Sequence, residues 1–196
     1  MKHIVLLMFF SSAIFAQSFF SIGVKGGMSV TNAFSDQTFH GVNTMTRFYS
    51  NGNDYIIGPT AGINLPFGFG VEADALYRSL NLSVDQTVLP SPASHSASTL
   101  SSWEFPILVK YHFIPLPIVK PYIEAGPSFR WTGNQTGQLS NKGITAGIGV
   151  DVKALVIRVS PEIRYTHWGN DVSLSNVSAL ARSNQNQAEF LVGVTF

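Results

Sequence analysis

The chain has no cysteine, which excludes disulfide staples, thiol catalysis and cysteine-bound metals. Charge is scarce as well: Asp, Glu, Lys and Arg make up 12% of 196 residues, against ~25% in ordinary soluble domains. The net charge is +1, and with neither a basic block nor an acidic tail no nucleic-acid partner is expected. Long hydrophobic runs are also missing. Beyond the first residues the nearest approach is Phe113-Ile114-Pro115-Leu116-Pro117-Ile118-Val119, well short of the ~20 apolar residues of a membrane helix and broken by prolines. No helix is therefore expected to span a membrane, yet low charge of this degree points to a membrane barrel.

The first residues have their own reading. Met1-Lys2-His3, the apolar run Ile4 to Phe10 and the small-residue stretch Ser11 to Ala16 have the order of a secretory signal, with cleavage expected after Ala16. Residues 1–16 are assigned to the signal peptide and 17–196 to one domain.

What the domain has in abundance is alternation. In Gln187 to Phe196, Ala188, Phe190, Val192, Val194 and Phe196 share one face, while Glu189, Leu191, Gly193 and Thr195 share the other. A period of two is a strand signal, and a strand that finishes on an exposed Phe suits a face turned to lipid. The same pattern predicts strands over Phe19–Thr31, Tyr55–Leu65, Gly70–Leu82, Leu100–Phe113, Lys120–Trp131, Gly143–Val152 and Leu155–Trp168. The third of these loses phase near Leu80, as a bulge would make it do. Pro59, Pro106, Pro127 and Pro161 fall inside strands, where proline cannot donate to the ladder.

The connections alternate too. Pro66–Phe69, Ile114–Val119 and Lys153–Ala154 are short; Asn32–Asp54, Ser83–Thr99, Thr132–Lys142 and Gly169–Asn186 are long and rich in Asn, Ser, Gly and Thr. Short turns at one end and long loops at the other are the mark of an outer-membrane barrel. The fold expected is an all-β, eight-stranded antiparallel up-and-down transmembrane barrel, with turns and both mature termini in the periplasm. Read by strand end, Trp103, Trp131 and Trp168 form an outer aromatic girdle, while Phe113, Tyr122 and Phe196, with Phe20, Phe67 and Phe69, form one at the opposite rim.

Several of these stretches resemble a known family. Gly23-Val24-Lys25-Gly26-Gly27-Met28, Leu65-Pro66-Phe67-Gly68, Trp103-Glu104-Phe105-Pro106, Lys120-Pro121-Tyr122-Ile123-Glu124-Ala125-Gly126-Pro127, Arg164-Tyr165-Thr166 and the final Phe196 are similar to the bacterial outer membrane protein beta-barrel domain family, the PorT-like group, whose barrel is similar in size to the OmpA type. The resemblance spans nearly the whole mature chain and implies an outer-membrane barrel.

Candidate chemistry is sparse. Gly68/Gly70 and Gly147/Gly149 follow no strand-to-helix turn, so they make no phosphate loop. No cofactor is implied, and no paired His or carboxylate stands at metal-ligand spacing. A rim enzyme acting on lipid would need a base and a nucleophile, and His167 with Ser160 or Ser173 is the pair available. The polar faces carry more. They gather Lys25, Arg78, Lys110, Arg130, Arg158 and Arg164 with Glu72, Asp74, Glu104, Glu124, Asp151, Glu162 and Glu189. Counting across turns sets Lys110 opposite Glu124 and Asp151 opposite Arg158; matching depth sets Arg78 near Glu104 and Arg164 near Glu189. Opposite charges on neighbouring strands pair, and a barrel of this width holds only its own side chains.

The function read from these residues is a structural or interaction protein of the outer membrane with a non-conducting lumen. Its partners are expected to be outer-membrane lipid, the barrel assembly machinery through the last strand with Phe196 as signal, and an extracellular partner through loop 32–54. That loop includes Phe34, Phe39, Met45, Phe48 and Tyr49. A narrow porin-like channel, a lipid-directed rim enzyme and a soluble ligand-carrying barrel remain as alternatives.

Overall fold

A computed structural model of the chain describes residues 19–31, 37–40, 44–50, 54–88, 94–114, 118–132, 140–154, 156–169 and 185–196. The expected signal peptide lies outside them. The strands are β1 (Phe20–Ser29), β2 (Gln37–His40), β3 (Thr44–Ser50), β4 (Tyr55–Asn64), β5 (Phe69–Asp74), β6 (Leu76–Val88), β7 (Ser94–His112), β8 (Val119–Trp131), β9 (Lys142–Ala154), β10 (Ile157–Trp168) and β11 (Asn186–Thr195). β5 and β6 act as one strand. They part at Ala75, whose N–H donates to the carbonyl of Pro59 at 3.0 Å, a residue with no N–H to return.

Taking β5 and β6 together, the eight predicted strands close into an antiparallel barrel. Each pairs with its sequence neighbour, and β1 seals the ring by pairing with β4 on one side and β11 on the other. Closure leaves no edge in the wall. At the seam the backbone of Phe196 continues the ladder, its N–H donating to Ile22 at 2.9 Å. The four prolines sit within the ladders, opposite Val24, Ser128, Ile144 and Val192.

Alternation sorts the side chains as the sequence requires. Ile22, Val24, Ile57, Ile107, Val109, Ile123, Ile144, Ile148 and Ile163 are exposed on the outside, whereas the intervening residues are buried inside the ring. A soluble domain does the reverse.

The ends differ. At one, β4 turns into β5 through a single 3-10 turn over Pro66–Gly68, in which Phe67 takes a left-handed φ of 64° and leaves its ring 92% exposed. At the other, two of the expected loops contain strand. β6 and β7 continue in register to Gln86↔Ser94, and β2 and β3 occupy part of Asn32–Asp54. The register of β6 on β7 never slips, so the phase change near Leu80 does not come from that side. It comes from the facing side, where pairing passes from Tyr55↔Ser79 to Ser50↔Leu82, with more chain between Ser50 and Tyr55 than between Ser79 and Leu82.

Candidate functional site: the lumen

Of the thirteen charged residues assigned to the interior, all but Arg158 are buried. Eleven of these twelve form two groups, and Asp151 stands apart with His112 and Ser160. The turn-side group holds Lys25, Lys110 and Arg164 with Glu72, Asp74, Glu124 and Glu162. Arg164 is its centre: Nε donates to Glu124 at 2.6 Å, Nη1 to Asp74 at 2.7 Å, and Nη2 to Glu72 at 2.9 Å while lying 2.9 Å from Glu162. Lys25 meets Glu72, Glu162 at 2.8 Å and Asp74 at 3.5 Å. Lys110 meets Glu72 at 2.7 Å and Glu124 at 3.5 Å. Tyr122 closes this group from the turn side, donating to Glu162 at 2.5 Å beneath the Lys110 ammonium, which lies 4.3 Å from its ring centre.

The loop-side group is smaller. Arg78 pairs with Glu104 at 2.9 Å and with Glu189, and donates to Ser29 at 2.6 Å. Arg130 donates to the same Glu104 at 2.8 Å and to Gln187 at 2.6 Å, its guanidinium stacked 3.7 Å from the Trp168 ring centre. The Trp168 indole donates to Gln187 at 3.0 Å.

On one wall an apolar waist lies between the two groups, and on the facing wall the buried hydroxyls of Ser128, Thr145 and Thr166 bond to one another. Ile56, Leu76 and Leu191 are buried against one another. Leu76 stands between Asp74 and Arg78 on the inward face of β5 and β6, and Leu191 stands next to Glu189 on that of β11.

Glycine makes the room for these large side chains. The inward positions of β9 are Gly143, Thr145, Gly147, Gly149 and Asp151. A Cβ at Gly149 would come within 2.5 Å of the Tyr122 ring, one at Gly147 within 2.8 Å of Glu124, and one at Gly143 within 2.9 Å of Trp168.

Several expectations need correction. Trp168 and Tyr122 are not girdle residues: they are 1% and 0% exposed and point into the lumen. They were placed by position along the strand, but alternation puts them in phase with Arg164 and Glu124. Trp103, Trp131, Phe113 and Phe196 do face outward, and Trp103 is joined at its rim by Tyr77, with ring centres 5.5 Å apart. Lys110 stands opposite Glu124 as expected, and Arg78 bonds Glu104. Asp151, however, faces Ser160, which donates to it at 2.7 Å, and Arg158 is a more distant neighbour at 3.6 Å. Arg164 is registered against Glu189 but is ion-paired to four other carboxylates, leaving Glu189 to Arg78.

The fold also brings the carboxylates of Glu72, Glu124 and Glu162 within 4.8 Å of one another, which spacing along the chain does not show. Lys25, Lys110 and Arg164 already meet these charges. The base and nucleophile imagined for a rim enzyme stay apart. Ser160 is buried near the turns, while His167 is exposed at the loop end and bonds Asn186 at 2.7 Å, ~23 Å along the strand at ~3.3 Å per residue. Ser173 lies outside the described residues. His112 bridges Asp151 at 3.0 Å and the Gly68 carbonyl at 3.2 Å, fastening the turn to the lumen wall.

The crystal structure of the outer membrane protein OprG from Pseudomonas aeruginosa is 14% identical, covering 91% of this chain and 96% of that one with a TM-score of 0.49. The transport unit of the autotransporter AIDA-I from Escherichia coli is 10% identical over 91% of this chain and 90% of that one, with a TM-score of 0.33. No curated protein matches the sequence. Residues 15–169 match the family model for the outer membrane protein beta-barrel domain; the chain belongs to that family and is an integral β-barrel of the outer membrane.

Proposed function

We propose that this protein is a plugged, non-conducting barrel of structural or interaction type, with its contacts made at the loop end. The waist of Ile56, Leu76 and Leu191 carries this reading. This buried apolar cluster, with the charges already engaged across the lumen above and below it, leaves little room for a hydrated ion, and that packing supports a closed bore. The outward apolar band meets lipid, the turns and both mature termini face the periplasm, and the long connections face outside. The separation of Ser160 from His167 supports a non-enzymatic role.

Planar-bilayer recording of the purified protein tests the reading. Wild type is expected to give no stable current steps. The double variant Leu76→Ala, Leu191→Ala, which empties the waist, is expected to leak. Stable single-channel currents from wild type overturn the plugged barrel in favour of a narrow channel.

Loop 32–54 is described only in part, with Met45 exposed. Phe34 and the side chains of Phe39, Phe48 and Tyr49 lie outside the described residues. We assign a contact role to this loop as well; unchanged surface binding after deletion of Phe34 to Tyr49 counts against it.

A further inference from the structure

The ladder continues past the rim of the barrel. β6 and β7 remain paired from Leu80↔Leu100 to Gln86↔Ser94, β3 adds to β6 and β2 to β3. A four-stranded sheet in the order β2-β3-β6-β7 thus rises from one side of the wall. Unlike the closed ring it has two edges. The β2 edge is only Gln37–His40. The β7 edge is long: β8 pairs with β7 last at Trp103↔Trp131, so from Ser94 to Ser102 the outer side of β7 meets no strand among the described residues.

Edges of this length are ordinarily guarded by charge, proline or a bulge. Ser94-His95-Ser96-Ala97-Ser98-Thr99-Leu100-Ser101-Ser102 has no Lys, Arg, Asp, Glu or Pro, and its unbroken register on β6 leaves no bulge. The sheet does carry charges, but on its covered strands: Arg47 of β3 is registered against Asp85 of β6, which lies 2.5 Å from His95.

We propose that the Ser94 to Ser102 edge is a docking site for an extended segment of another polypeptide, which adds to β7 as a further strand. This rests on the interaction-type reading and refines which part of the loop end makes the contact. Backbone N–H and C=O groups at ladder spacing match another strand, and short side chains let that strand approach. A neutral edge selects a partner segment of small or β-branched uncharged residues. A second copy does not fit. Two barrels in one membrane are related by rotation about its normal, and the usual strand tilt of about 35–45° then crosses their edges at about 70–90°. Nor does the neighbouring connection suffice. Chain leaving Thr132 and returning at Ser140 reaches ~13 Å up the edge at ~3.3 Å per residue, half of the ~26 Å to be covered.

Residue-resolved amide hydrogen exchange on the purified protein in detergent micelles tests this. Between Ser96 and Leu100 every second amide is expected to exchange fast, the intervening ones being held by β6. A neutral peptide of alternating Thr and Val, as long as the edge, is expected to slow the fast set roughly tenfold. The double variant Ser96→Lys, Ser98→Lys should keep the alternation and lose the peptide effect. Uniform protection without peptide means that the chain covers its own edge and overturns the proposal, as does an alternating pattern that the peptide leaves unchanged. Bilayer recording of the same preparation reads the lumen separately, so a conducting barrel that binds the peptide refutes the plug and not the edge.

Discussion

The two charge groups of the lumen solve the same problem differently. On the turn side three cations stand among four carboxylates, and Arg164 touches every one of those acids. On the loop side two guanidiniums share Glu104, with Glu189 as the second acid, and the balance of hydrogen bonding is made up by Ser29, Gln187 and Trp168. The first arrangement depends on one cation, the second on one anion. Each side therefore has a different residue whose loss leaves buried charge unmatched.

The largest effect is expected from Arg164→Ala, which leaves four buried acids to two lysines. Breaking even one buried pair costs about 3–5 kcal/mol, so little folded protein should survive, read as loss of the heat-modifiable form on gels; Arg164→Lys should recover part of it. Glu104→Ala comes next, at about 3–5 kcal/mol in thermal or denaturant unfolding, because both loop-side guanidiniums lose their shared partner. Glu124→Ala should cost less, about 1–3 kcal/mol, since the turn side has an acid in excess and removing one evens the count. Equal losses for the two glutamate variants would show that the groups are not distinct. Gly149→Ala tests the space beneath Tyr122: forcing a methyl against that ring should destabilise by about 1–3 kcal/mol, and Tyr122→Phe should not relieve it. Arg158→Ala, at a side chain 30% exposed and 3.6 Å from Asp151, should change stability by less than about 1 kcal/mol.

At the seam, deletion of Phe196 removes the ladder bond to Ile22 and should lower the yield of folded barrel in the outer membrane, read by the same gel shift. Equal yield would argue against a targeting role for this residue.

Much of this architecture could be read before the structure, because membrane barrels impose one rule on every strand. Trp103, Ile107 and Val109 had to face one way and Glu104 and Lys110 the other, and they do. Depth was harder to read than face. Arg164 and Glu189 are level, but a guanidinium on a long stem reaches across a narrow bore, so its partners were set by the opposite wall rather than by the adjacent strand. Asp151 and Arg158 were displaced by the turn, which lies further along the chain than the apolar pattern suggested and puts Ser160 in register instead. The sheet above the rim left only a partial trace in hydropathy: Leu80, Leu82 and Val84 alternate with Asn81, Ser83 and Asp85 on β6, but Ser94 to Ser102 of β7 do not alternate. In that β7 stretch serine recurs on both faces, and a period of two has little to display.

One feature of the lumen also bears on time. Lys25 on the first strand is bonded to Glu72 and Glu162, 47 and 137 residues away, and Arg78 to Glu189, 111 residues away. Contacts so distant along the chain form slowly, and these need walls that arrive at different moments. While the ring is still open its future interior is wet, and each of these charges is hydrated by solvent rather than held by a counter-ion. The pairing of β11 with β1 brings the last of these walls together and completes the network. The polar interior thus acts as a latch on assembly: pairs such as Glu104 with Arg130 and Lys110 with Glu124 join adjacent strands, but the contacts of Lys25 to Glu162 and of Arg78 to Glu189 hold only in a finished ring.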